Sequence, residues 1–177
     1  TPGEYQIIGV DGKGIEGFAS EPRSTRSFVR IELPDEDTTV NSPEVAYKPD
    51  GQVNGHSGTG FVETDKSSPA LNIPVNIDEA GEYSISFRYA NGNGPVNTKN
   101  RCAVRTMSVD GKKIGIVVMP QRGKGNWDDW GMTNSLQVFL SQGSHIITLD
   151  FRTENENMNI KTNHSLIDNV LLTRLSQ

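Results

Sequence analysis

From Glu82 through Ser84, Ser86 and Arg88 to Tyr89, polar and apolar residues alternate without a break, and this period of two most constrains the fold. It sets Tyr83, Ile85, Phe87 and Tyr89 on one face of an extended strand, with one side turned to a core. A helix would scatter the same four side chains around its axis. Similar runs cover Phe28 to Leu33, Thr59 to Glu63, Ala70 to Ile77, Ala103 to Val109, Lys113 to Met119, Ser135 to Leu140, His145 to Phe151 and Leu166 to Leu175. Turn residues separate them: Glu79-Ala80-Gly81, Asn91-Gly92-Asn93-Gly94, Asp110-Gly111 and Gln142-Gly143. The Asp-Gly pair predicts a two-residue hairpin, because a primed turn needs positive φ at both central positions.

About nine strands at this spacing, with no amphipathic helical period, predict an all-β jelly-roll β-sandwich. It is expected over residues 28–177, one domain's worth of chain. Residues 1–27 carry one strand pattern, Tyr5 to Val10, then a polar stretch rich in glycine. They are expected to form an extension, an extra strand or the tail of an upstream domain. The chain opens on Thr1-Pro2-Gly3 in place of a charged and then apolar leader, as a mature or excised fragment would.

A net charge of −5 argues against a nucleic-acid partner, which needs lysine and arginine gathered on one face. No stretch approaches the roughly 20 apolar residues of a membrane span. The single cysteine, Cys102, forms no internal disulfide, and its place at a strand start suits a small packing residue better than a nucleophile. His56, His145 and His164 are isolated and lack zinc spacing. Paired carboxylates for glycoside cleavage are not excluded by counting, but no local catalytic signature is present.

Six segments resemble, in order, carbohydrate-binding module families 35 and 6, which share a galactose-binding-domain-like sandwich. They are His56 to Val62, Gly81 to Gly92, Ser108 to Gly111, Trp127-Asp128-Asp129-Trp130, Gly143 to Leu149 and Ile167-Asp168-Asn169-Val170. The resemblance implies a non-catalytic domain that binds polysaccharide or oligosaccharide and targets an associated glycoside hydrolase or polysaccharide lyase. It also implies export (secreted, periplasmic or at the cell surface), a catalytic domain or subunit as partner, and a structural calcium ion. A sandwich that packs on a catalytic domain without a sugar site is the alternative, and a small glycan-cleaving enzyme a third.

Sugars are held by stacking a ring's C–H face on an exposed aromatic and by planar polar groups that pair with hydroxyls. Trp127 and Trp130 lie in a polar loop, and Trp127, surrounded by Asn126, Asp128 and Asp129, is the expected stacker. Tyr89 with Asn91 and Asn93 at a strand end, and Arg101 at the next strand start, are expected at the same rim. Arg101 would suit an acidic sugar. The related families often place an asparagine two residues before the aspartate of the last strand. Here that position is Leu166, and Asn163 and His164 are the candidate substitutes. Asn163-His164-Ser165 is also a glycosylation sequon. For calcium, the resemblance points to Glu32, Glu36 and Asp168, with Pro34 interrupting the usual glutamate pair.

Overall fold

A computed structural model describes residues 4–5, 8–10, 12–13, 16–19, 23–24, 28–33, 53–94, 100–156 and 163–176. Short strands β1 (Glu4–Tyr5), β2 (Ile8–Val10), β3 (Glu16–Ala19) and β4 (Arg23–Ser24) come first. They are followed by β5 (Phe28–Glu32), β6 (Val62–Thr64), β7 (Leu71–Ile77), β8 (Gly81–Ala90), β9 (Asn93–Gly94), β10 (Ala103–Val109) and β11 (Lys112–Met119). Then come β12 (Gly123–Lys124), β13 (Gly131–Met132), β14 (Leu136–Leu140), β15 (Gly143–Asp150), a 3-10 turn at Thr153–Asn155, and β16 (Ser165–Ser176).

Two antiparallel sheets face each other. One has the order β11-β10-β15-β7. In the other, β8 and β16 form the centre; β13 and β14 share the free edge of β8, and β5 and β6 share that of β16. The period-two residues of β8 meet the alternate residues Leu71, Ile73, Val75 and Ile77 of β7 in one core, together with Met107, Ile147, Leu149, Val170 and Leu172. Burying such side chains between two pleated faces is the main force holding the sandwich together. The chain is thus an all-β jelly-roll sandwich, as its alternation predicts.

Asp110 and Gly111 adopt φ of 50° and 79°, so the β10–β11 connection is the tight hairpin its sequence predicts. The N-terminal segment departs from expectation. The pattern from Tyr5 to Val10 divides between β1, which pairs β4, and β2, which pairs β3.

An irregularity in β16 sets up the functional end of the molecule. The register with β8 skips a residue between Ile167 and Asn169, leaving Asp168 in a bulge. Ile167 and Val170 therefore both face the core, while Leu166 lies opposite Ala90 on one side and Glu63 on the other, on the outer face. None of the described helices is long and apolar enough to cross a membrane.

Candidate functional site

The loop from Gly125 to Trp130 is pinned at several points, because turns with unpaired backbone groups hold a shape only when those groups find partners. Gly125 N donates to Gly92 O (2.8 Å), Asp128 Oδ1 accepts from Asn54 N (2.9 Å), and Asp129 pairs with Arg122 (2.9 Å). Trp130 completes the clamp: its Nε1 donates to Asn54 O (2.8 Å), its ring lies 5.8 Å from that of Phe61, and the Arg88 guanidinium lies 5.4 Å from its centroid. Trp130 is consequently an anchor that ties this loop to the 53–61 loop.

Trp127 is partly buried and held differently. Its indole rests on Gly92 so closely that a Cβ there would lie 2.9 Å from three indole atoms. The His164 imidazole is 4.8 Å away at a 44° tilt. Beneath the two tryptophans, Phe61, Ala90 and Leu166 form a separate apolar cluster, with Val53 against it. Leu166, at a position expected to carry a sugar-binding asparagine, is thus the floor of the aromatic platform. The register explains this: the bulge at Asp168 turns Leu166 outward beside Ala90.

Around that platform the polar residues divide into two groups. Asn93 is partly exposed, and its amide donates to Asn91 Oδ1 and to His164 O (2.7 Å each). His164 Nε2 lies 2.8 Å from Glu63 Oε1. These residues reach the surface beside Trp127. Arg101 runs its side chain over Gly94, on the short β9–β12 ribbon.

Three residues expected at the rim face the interior. Tyr89 is a core residue whose hydroxyl donates to Pro120 O (3.1 Å), and burial pushes its pKa up. Asn91 is fully buried and donates to Arg101 O and Met119 O, as a peg between strand ends. Asn163 is also fully buried; its Oδ1 accepts from Val104 N and from Arg105, a cation buried to 3% exposure. Buried and bonded to the protein's own groups, these three side chains are out of reach of a ligand at the surface. The same burial withholds the Asn163 sequon from modification in the folded domain. Cys102 is half-buried and burial pushes its thiol pKa up, which opposes nucleophilic chemistry.

Beyond Trp130 along the outer face, Glu32 and Asp168 converge on one hydroxyl: Ser57 Oγ lies 2.5 Å from Glu32 Oε2 and 3.0 Å from Asp168 Oδ2, with a single proton to donate between them. Asp168 is completely buried and accepts further bonds from Ser57 N, Arg88 Nη1 and Asn169 Nδ2. Two carboxylates and a hydroxyl are hard oxygen donors of the kind calcium prefers. Arg88 already brings one positive charge to them. The third expected carboxylate, Glu36, lies outside the described residues. Among the described residues no group of three or more His, Cys, Asp or Glu is arranged to hold a metal.

Sequence reasoning missed Phe61, Glu63 and Gly92. The first two were findable, since their period-two spacing with Leu166 opposite puts them on the platform's face. The role of Gly92 was hidden, because a turn glycine and a glycine under an indole look the same in sequence.

Residues 45–164 match the carbohydrate binding module (family 6). A cycloisomaltooligosaccharide glucanotransferase of Niallia circulans is 34% identical over 102 residues, 57% of this chain and 10% of that protein. The chain thus spans about a tenth of the curated relative it matches. Among solved structures, the CBM35 from Cellvibrio japonicus Abf62 superposes with a TM-score of 0.58 at 20% identity, covering 83% of this chain and 93% of that one. An Xyl-CBM35 in complex with a glucuronic acid containing disaccharide gives a TM-score of 0.56 at 22% identity, covering 82% and 92%. These likenesses carry the fold.

Proposed function

The chain belongs to the family 6 carbohydrate-binding modules, and on that premise we propose that it captures α-1,6-linked gluco-oligosaccharide chains on the partly exposed indole of Trp127. The domain binds carbohydrate and is non-catalytic. The observation that carries the finer reading is the seating of Trp127 on Gly92, which holds the partly exposed ring in one place, as a stacking platform requires. Asn93 and His164 supply the hydrogen-bonding edge. The choice of an α-1,6-glucan is supported by the cycloisomaltooligosaccharide chemistry in the relative's name.

On this reading the module belongs to a larger exported enzyme and holds it against its polymer; the relative's far greater length supports that arrangement. Residues 1–27 are an extension to the sandwich, a division supported by the pairing of β1–β4 among themselves. Glu32 and Asp168, with Ser57, are the proposed holders of a structural calcium ion, whose charge when bound would tie the end of β5 and the bulge of β16 to the 53–60 loop. A second reading, an acidic sugar held through Arg101, is favoured by the ligand of the Xyl-CBM35 structure. Retention of the chain on a dextran affinity gel, compared with a glucuronoxylan gel, tests the two: retardation by dextran supports the first, and retardation by glucuronoxylan alone overturns it.

A further inference from the structure

We propose that Glu63 is a specificity residue of this sugar site, accepting hydroxyls from a neutral sugar stacked on Trp127 and turning away sugars that carry a carboxylate. The inference rests on the reading of Trp127 given above. Its own evidence is the row that the sheet register builds across the outer face. Glu63 lies opposite Leu166, and Leu166 lies opposite Ala90, so the three share the face that carries the aromatic platform. Glu63 is the acidic member of that row.

Its position is fixed by a relay of contacts. Glu63 Oε1 is 2.8 Å from His164 Nε2, the His164 ring is 4.8 Å from that of Trp127, and the His164 carbonyl is held by Asn93. The carboxylate therefore sits one imidazole's width from the stacking ring, with its side chain 22% exposed. A carboxylate offers about four lone-pair sites, so Glu63 can accept from a ligand hydroxyl while keeping its protein contacts. Adjacent equatorial hydroxyls of a glucose ring present paired O–H donors, and charge-assisted bonds to a carboxylate are stronger than neutral ones. A uronic acid in the same seat would set two negative charges side by side in a partly desolvated site, which disfavours it. Arg101 over Gly94 and Lys124 opposite Asn93 pull in the other direction, so the ratio of neutral to acidic binding reports which charge governs the site.

The experiment is calorimetric titration of the 177-residue chain with isomaltotriose and with a glucuronic acid-containing xylo-disaccharide, for wild type, Glu63→Gln and Trp127→Ala. Expected is a wild type that prefers isomaltotriose. Glu63→Gln should bind isomaltotriose roughly tenfold more weakly while its neutral-to-acidic ratio falls, at an unchanged unfolding temperature. A Glu63→Gln chain with wild-type affinities and ratio, while Trp127→Ala abolishes binding, overturns the role of Glu63 and leaves that of Trp127 standing. A wild type that binds no isomaltotriose, or a Trp127→Ala chain that binds it normally, overturns the underlying reading and this inference with it.

Discussion

The indole of Trp127 lies on Gly92 at a separation that leaves no room for a side chain: a Cβ at Gly92 would come within 2.9 Å of Cδ2, Cε2 and Nε1. The smallest possible substitution, Gly92→Ala, must therefore lift or swing the ring. The expected outcome is loss of measurable retention on dextran with a stability cost of about 1–3 kcal/mol, the usual range for overpacking. Affinity electrophoresis beside thermal unfolding checks this. Unchanged retention would mean that the ring's seat does not matter to the ligand.

Trp130 is expected to behave in the opposite way to Trp127. Its Nε1 holds Asn54 O and its ring packs on Phe61, so Trp130→Phe leaves a carbonyl without its donor and loosens the 53–61 loop. A destabilisation of about 1–3 kcal/mol is expected. Sugar affinity should fall only as far as that loop supports Trp127. Chemical denaturation of both tryptophan variants separates the anchor from the platform.

How the residues divide between what sequence discloses and what it hides follows from what period and turn chemistry encode. Alternation reads which face of a strand is apolar, so β8 and β7 were legible with their core residues, and Asp110-Gly111 was legible because few residue pairs accept positive φ twice. The site was less legible. Asn91 and Asn163 look like loop amides in sequence, and only the fold shows that they cap backbone groups of distant segments: Asn91 those of Arg101 and Met119, Asn163 that of Val104. Leu166 looked like a lost ligand because the bulge at Asp168, which sets its direction, has no signature in residue type.

Asn163 makes a sharper case. It is the shared acceptor for Val104 N and for the buried Arg105, whose pKa burial pulls down to about 10. Asn163→Ala removes that acceptor and leaves a buried cation short of a partner. A loss of about 3 kcal/mol or more is expected. Urea unfolding measures it, and a variant as stable as wild type would contradict the assignment of Asn163 to the interior scaffold.

His145 and Asp110 give the stability a pH dependence. The hydrogen bond to Asp110 raises the pKa of His145, with a further contribution from the Ser141 carbonyl, and the same bond lowers that of Asp110. The histidine's contribution is complete below its ordinary value of about 6.5 and is lost as pH rises through its elevated folded value. The aspartate's is complete above about 3.9 and lost as pH falls through its depressed folded value. Because Asp110 is half-exposed, solvent screening keeps the effect small. The gap in unfolding temperature between wild type and His145→Gln should be widest near pH 5 to 6 and close above neutrality; a gap constant with pH would contradict it.

If Glu32 and Asp168 hold calcium, adding the ion raises the unfolding temperature by several degrees and chelation reverses the gain. Asp168→Asn should abolish the response. No shift with calcium in the wild type would leave Arg88 as the cation that balances the buried aspartate.

The most direct test of the whole account is the affinity of the chain for isomaltotriose before and after Trp127→Ala. A wild-type dissociation constant between about micromolar and millimolar is expected, with binding lost in a variant that still unfolds in one cooperative transition. A Trp127→Ala chain that binds isomaltotriose as tightly as wild type would contradict it.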